Sequence, residues 1–311
     1  MKKKVILISI LLLVILLFFF PFTQQQSVSV KASFFNAYQQ LAVGENWIQW
    51  RNDLRAANSS DKTKVICKQH LNNFVISYGD NSLSVNTING YTFSIAEQNS
   101  NEYSYTLIPE KATNITTVMV TEKTNGLKLL LELITNHNIS QNHIADFKNF
   151  MEDPDLYYGY KIIKKRVTDT CIIVLKKAVL SKNKFNEAAK TLGTLKQFIY
   201  AKGLQQTQPL IAQFFPKNND STHVNIGLPI NKKTTTNKLI SFMEMPASGS
   251  IYTVRFHGKF ADRLKVYAAV RRYFNDRNLA MPILPFETYL DNKLPENDLD
   301  IINIQINFTT Y

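Results

Sequence analysis

Between residues 64 and 123 the chain alternates apolar and polar residues in six short runs. These are "KVICKQ", "FVISYG", "SLSVNTI", "YTFSIAEQ", "EYSYTLIP" and "TTVMVTEK". Side chains of a strand point to opposite faces in turn, so each run predicts a half-buried strand. Gly79-Asp80, Asn89-Gly90 and Asn99-Ser100 separate them as turns, and Asn89-Gly90 between apolar runs predicts a hairpin. Ahead of these runs, "SVSVKA" predicts a strand. "SFFNAYQQLAVGENWIQW" follows with helical spacing at Phe34, Phe35, Tyr38 and Leu41, then at Trp47 and Trp50. After Asn125-Gly126 the spacing is helical again, through "LKLLLELI" and "HIADFKNFMED", with an interruption at "TNHNISQNH". A first domain over 27–155 is expected, an antiparallel sheet with helices.

A second domain is expected over 157–311, built from repeats at about 157–230 and 238–308. "KFNEAAKTLGTLKQFIYAKGL" from Lys184 matches "KFADRLKVYAAVRRYFNDRNL" from Lys259. Phe185 pairs with Phe260, Phe198 with Tyr273 and Leu204 with Leu279, each 75 apart (260 − 185, 273 − 198, 279 − 204). Each segment predicts an amphipathic helix. Two strand-like runs precede each helix and two follow, so each repeat reads βαββ with an extra leading strand. Two such units can share one sheet with both helices on one face.

"MKKKVILISILLLVILLFFFPF" opens the chain with lysines and an unbroken apolar run over 5–20. A helix over that run spans about 24 Å, short of the ~30 Å hydrocarbon core unless Pro21 and Phe22 extend it. No small-residue cleavage site follows. Residues 1–22 are therefore expected to form an uncleaved single-pass anchor. Lys2, Lys3 and Lys4 place its N-terminus in the cytoplasm and the folded domains outside it. "TQQQSVS" is expected to be a polar connector.

Net charge is +12, but the basic residues are scattered, as in "KKRV" at 164–167 and Arg271-Arg272. No clustered basic face or reading motif points to nucleic acid. Cys67 and Cys171 lack metal spacing and are expected to be unbridged thiols. Reaction motifs are absent: no G-x-S-x-G, no H-E-x-x-H and no glycine-rich phosphate loop. No cofactor and no metal are expected, and a non-enzyme is favoured over an enzyme.

The candidate chemistry lies in "LPFETYLDN". Alternation puts Glu287 and Tyr289 on one face of a strand, Phe286 and Thr288 on the other. A carboxylate among aromatic groups is costly to desolvate, so it needs a partner. A ligand cation is one such partner, a nearby arginine another, and a surface position on an edge strand would remove the cost.

Two resemblances extend this reading. "SVSVKASFFNAYQQLAVGENWIQW" and the strands after it resemble the START/SRPBCC superfamily, whose helix-grip sheet wraps a C-terminal helix. The duplicated half resembles the GyrI-like small-molecule-binding domain, the effector-binding module of AraC-type regulators. There the resemblance is carried by "MPASGSIYTVRFHGKF", "ILPFETYLDN" and "DIINIQINF". It implies a cleft holding a lipophilic or cationic small molecule around Glu287, with Tyr289 beside it and Tyr252, Phe256, Tyr267 and Tyr273 as walls. Gln213 and Phe215 take the matching places in the first repeat, and His257 stands at the family's turn. The expected fold is α+β: a transmembrane helix, a helix-grip domain and a duplicated βαββ domain. The expected function is a membrane-tethered small-molecule sensor. The alternatives are hydrolysis of a lipophilic electrophile through Glu287 and a scaffold for an unknown protein partner.

Overall fold

The computed structural model describes residues 21–60, 64–98, 102–111, 114–126, 139–167, 171–218, 220–245 and 249–310. The expected helix over "LKLLLELI" and the first part of the interruption at "TNHNISQNH" lie outside them. So does the apolar run of the anchor. The chain divides at Tyr157/Tyr158 into two compact units, inside a short helix, Pro154–Tyr158.

The first unit is built on a seven-stranded antiparallel sheet. Its strands are β1 (Pro21–Val30), β2 (Val65–Gln69), β3 (Asn73–Tyr78), β4 (Asn81–Asn89), β5 (Thr92–Glu97), β6 (Tyr103–Pro109) and β7 (Thr116–Asn125), in the order β1-β7-β6-β5-β4-β3-β2. Three helices connect β1 to β2: α1 (Phe34–Ala42), α2 (Gly44–Trp50) and α3 (Asn52–Asn58). A fourth, α4 (Ile139–Glu152), follows the sheet. Alternation drives the packing: Phe74, Ile76, Leu83, Val85, Phe93 and Ile95 are buried on one face. Trp47 and Trp50 sit one helical turn apart with ring centroids 4.7 Å apart. Trp50 meets Phe147 of α4 edge-on at 5.2 Å.

The anchor expectation is corrected here. Pro21 and Phe22, needed to lengthen the apolar run, open strand β1 and pair with Asn125 and Thr124 of β7. The presumed connector "TQQQSVS" continues the same strand. Among the described residues no helix is long and apolar enough to cross a membrane. The transmembrane helix, the membrane as a partner and the single-pass location with domains outside the cytoplasm are withdrawn accordingly. What stands is an α+β fold with two large antiparallel sheets.

The second unit has an eight-stranded antiparallel sheet. Its strands are β8 (Ile163–Arg166), β9 (Cys171–Leu180), β10 (Ile211–Pro216), β11 (Ser221–Pro229), β12 (Ile240–Glu244), β13 (Ser250–Lys259), β14 (Phe286–Tyr289) and β15 (Ile301–Thr310). The order is β12-β9-β11-β10-β14-β15-β13-β8. With the short helix Pro154–Tyr158 as α5, the long helices are α6 (Lys184–Ala201) and α7 (Arg263–Asp276). Each follows a 3-10 turn and packs on the same face of the sheet, where Leu175, Ile226, Ile306 and Val254 meet Ala188, Leu195 and Val270 in one core.

The duplication is visible in β9 and β13, ten residues each with the same burial sequence. Two features were not expected. The leading strands are exchanged: β8 pairs with β13 of the second repeat, and β12 with β9 of the first. The helices also differ by one turn, 18 residues in α6 against 14 in α7. The repeats are thus offset by 79 at the helix starts (263 − 184) and by 75 at the ends (276 − 201). Phe260 therefore lies in the turn before α7 rather than matching Phe185 inside α6, yet the two rings touch at 5.1 Å.

Both helices end alike. Gly203 and Asn278 take left-handed backbone conformations, φ 57° and 52°. Leu204 N–H then donates to Ile199 C=O and Leu279 N–H to Phe274 C=O. This motif satisfies the last carbonyls and folds a leucine back onto the helix.

Candidate functional site

Glu287 lies in a row of paired residues that crosses six strands: Leu175, Ile226, Ala212, Glu287, Ile306 and Val254. The other five are apolar and buried, and Glu287 itself is 1% exposed. Its carboxylate is held from within. Arg263 Nε donates to Oε1 at 2.7 Å, the Tyr267 hydroxyl to Oε1 at 2.8 Å and the Tyr289 hydroxyl to Oε2 at 2.7 Å. Arg263 and Tyr267 come from α7, one turn apart, and Tyr289 from β14. Arg263 also donates to Phe260 C=O, and its guanidinium stacks 3.4 Å from the centroid of the Phe260 ring. Burial, reinforced by the charge of Glu287, pushes the hydroxyls of Tyr267 and Tyr289 well above the usual tyrosine range. Both tyrosines therefore stay protonated and donate.

The structure gathers part of the expected set. Glu287, Tyr289 and Tyr267 are joined by hydrogen bonds. Tyr252 and Tyr273 touch each other at 5.7 Å. They connect to Tyr267 through Phe274 and Phe308 in a chain of ring contacts. Phe256 packs at the margin of the same core and below Gly258. Gln213 and Phe215 do not belong to this face. The counterparts of Glu287 and Tyr289 at the interval of 75 are Ala212 and Phe214, and strand alternation sends Gln213 and Phe215 to the opposite side. His257 is not at a turn, because β13 continues through to Lys259.

The opposite, helix-free face carries a groove that the sequence did not disclose. A cavity of about 360 Å3 lies among Ile172, Val174, Met243, Ile283, Leu284 and Phe286. A second, also about 360 Å3, is lined by Lys165, Arg166, Gln208, Thr253, Thr288 and Gln305. They share Ile172, Ile211, Met245 and Phe286, and so adjoin. The amides between them are turned to the protein. Gln213 Nε2 donates to the carbonyls of Leu284 and Pro285, and Asn225 donates to Gln213 Oε1. Asn307 Nδ2 donates to Thr288 Oγ1 at 2.9 Å. No run of sequence marks this groove, since its walls alternate with core residues along several strands.

The first unit holds a second buried charge cluster. Arg51, 1% exposed, forks across Asp53 at 2.8 and 2.7 Å and Glu97 at 2.9 and 3.2 Å. The Tyr103 hydroxyl donates to Glu97 Oε1 at 2.5 Å, and His143 Nε2 lies 3.9 Å from the same oxygen. Burial lowers the His143 imidazole below its usual range, with the Arg51 charge acting the same way. An arginine directly after the apolar face of α2, in "WIQWRND", was the available signal. Cys67 and Cys171 are half-buried thiols in different units. Among the described residues no group of side chains could hold a metal ion.

No family model matches the chain, and no curated protein matches it. Among solved structures, the C-terminal domain of EcmrR is 17% identical, with 49% of this chain and 98% of that chain covered at a TM-score of 0.39. A hydrolase from Listeria innocua is 9% identical over 49% of this chain and 92% of its own, at 0.36. The protein SAV2435, bound to tetraphenylphosphonium, is 11% identical over 49% and 94%, at 0.28. Likeness this slight transfers neither ligand nor activity. The resemblances to the START/SRPBCC superfamily and to GyrI-like effector-binding domains are corrected on these findings. Neither has a matching family model or a strong relative behind it.

Proposed function

We propose that the second unit binds a small lipophilic molecule in the groove on the helix-free face of its sheet. The groove itself carries this reading. Each of its two adjoining cavities is about 360 Å3, within the range of small-molecule sites; apolar residues prevail in the lining of the first, and polar residues are more frequent in that of the second. The site differs from the one the sequence suggested. Glu287 faces away, and its carboxylate already has three internal donors.

The test is a thermal-shift screen of the chain against neutral hydrophobic compounds. A ligand that binds only the folded state raises the melting temperature. The rise is expected in the wild type and absent in Met243→Asp, which sets a charge on a half-exposed groove wall without disturbing the core. No rise with any compound, in a chain that melts cooperatively, overturns the reading in favour of a protein partner. Turnover of a reactive lipophilic ester, lost in a Glu287→Gln variant that still melts at the wild-type temperature, would instead favour the hydrolytic alternative.

A further inference from the structure

We infer that the ligand of this groove is an elongated amphiphile with an anionic head, a carboxylate or a phosphate. The inference rests on the groove being the binding site, as proposed above.

The two cavities are chemically unequal. The inner one has apolar walls on both sides, Ile172 and Val174 from β9 and Ile283 and Leu284 from the segment before β14. The outer one carries Lys165 of edge strand β8, which pairs with the groove residue Ile251, while alternation turns the next residue, Arg166, to the other face. Lys176 adds a second cation, in the inner lining. Among the described lining residues of both cavities there is no carboxylate. Nor do Lys165, Arg166 or Lys176 form an ion pair among the described residues, although Lys177, the neighbour of Lys176, pairs with Glu187 on the helix face. Glu287, the one acid of β14, is on the far side of the sheet with Arg263.

The amides of Gln213, Asn225, Gln305 and Asn307 are already engaged with one another, with Thr288 or with backbone carbonyls. Besides the Gln208 amide and the Thr309 hydroxyl, the donors left for a ligand among the described lining residues are mainly the cations, and only these carry charge. An apolar body fits between the apolar walls of the first cavity, and a negative head fits where the Lys165 and Lys176 ammonium groups donate charge-assisted hydrogen bonds. A lipophilic cation would be repelled by the same groups.

Calorimetric titration of the full chain with four probes of equal chain length tests this: dodecanoate, dodecyl phosphate, dodecyltrimethylammonium and dodecanol, each below its micelle concentration. At least one anion is expected to bind about tenfold or more tighter than the ammonium, with the advantage shrinking as salt rises. The double variant K165E/K176E is expected to abolish that advantage while dodecanol binding persists. Both residues are exposed, so the fold is retained. The better of the two anions identifies the head as carboxylate or phosphate. Equal binding of all four probes overturns the anionic assignment and leaves the groove standing. So does an anion advantage that persists in the double variant, or a preference for the ammonium. Failure of every probe, dodecanol included, overturns the groove reading itself.

Discussion

Ala212 lies directly across the β10–β14 strand pair from Glu287. The interval between them is 75 residues (287 − 212), the same that relates the ends of the two helices (276 − 201). The local twofold of the duplicated unit therefore passes between a methyl group and a carboxylate. The rest of the network is one-sided too. At the helix-start interval of 79, Arg263 answers to Lys184 and Tyr267 to Ala188; at 75, Tyr289 answers to Phe214. The first repeat sets Ala188, Ala212 and Phe214 where the second builds its network, and Lys184, the counterpart of Arg263, pairs with Asp298 at 2.8 Å instead.

Removing one member of that pair leaves the other charged and buried. Glu287→Ala is expected to destabilise the second unit by about 3–5 kcal/mol, and Arg263→Met by a similar amount. The double variant R263M/E287L is expected to cost less than the sum, because no unpaired charge remains. Urea denaturation of the three variants measures the coupling.

Two glycines ten residues apart in sequence are expected to respond to alanine with opposite signs (203 − 193). Gly193 is inside α6 with open space where a Cβ would go, so Gly193→Ala is expected to stabilise by about 0.5–1 kcal/mol. Gly203 also has open space, but its φ is +57°. Gly203→Ala is expected to destabilise by about 1–2 kcal/mol through the backbone alone. Melting curves of the two variants check both signs.

Gly44 presents the opposite case. A Cβ there would run into Cys67 Sγ and the Phe74 ring, at 2.8 Å from the latter. Gly44→Ala is expected to cost about 1–3 kcal/mol by overpacking. Both tryptophans are in this unit, so their fluorescence follows its unfolding.

The pH dependence of the first unit follows from His143. Its imidazole is held below the ordinary value by burial and by Arg51, against the opposing charges of Glu97, Asp53 and Asp146. The unfolded chain therefore takes up the proton first as pH falls. Stability from this group is complete above the unfolded value near 6.5 and is lost as pH drops from there toward the folded value. The slope is at most about 1.4 kcal/mol per pH unit. Comparing urea midpoints near pH 7.5 and pH 5.5, the wild type is expected to lose stability and His143→Asn to lose less.

Alternation made much of this fold legible. The six runs after residue 64 are strands β2 to β7, and Asn89-Gly90 is the turn of a hairpin. The repeat showed itself because leucine after a left-handed residue ends both helices. Strand alternation also isolated Glu287 with Tyr289. Four things were not legible. Which edge a leading strand joins depends on partners about ninety residues away, as in Ile163 with Thr253 (253 − 163). The extra turn of α6 shifts the register between two intervals, and a single offset hides it. A groove is a property of several strands at once: its walls are every second residue of β9, β10, β12 and β14, each of which reads singly as ordinary strand surface. Nor did the apolar start of the chain reveal that Pro21 and Phe22 belong to a sheet.

The exchanged leading strands have a consequence for biosynthesis. Strand β8 leaves the ribosome 90 residues before the segment it must join (253 − 163). At ~5–20 residues per second this is a wait of roughly 5 to 18 s. During that time the first repeat has neither its own leading strand beside it nor the one that the second repeat will supply. The nascent first repeat is therefore an open-edged intermediate, and neither half is a unit that can complete its sheet alone. Severed in the stretch between β11 and β12, the two halves should regain the fold only when mixed, each closing the edge of the other.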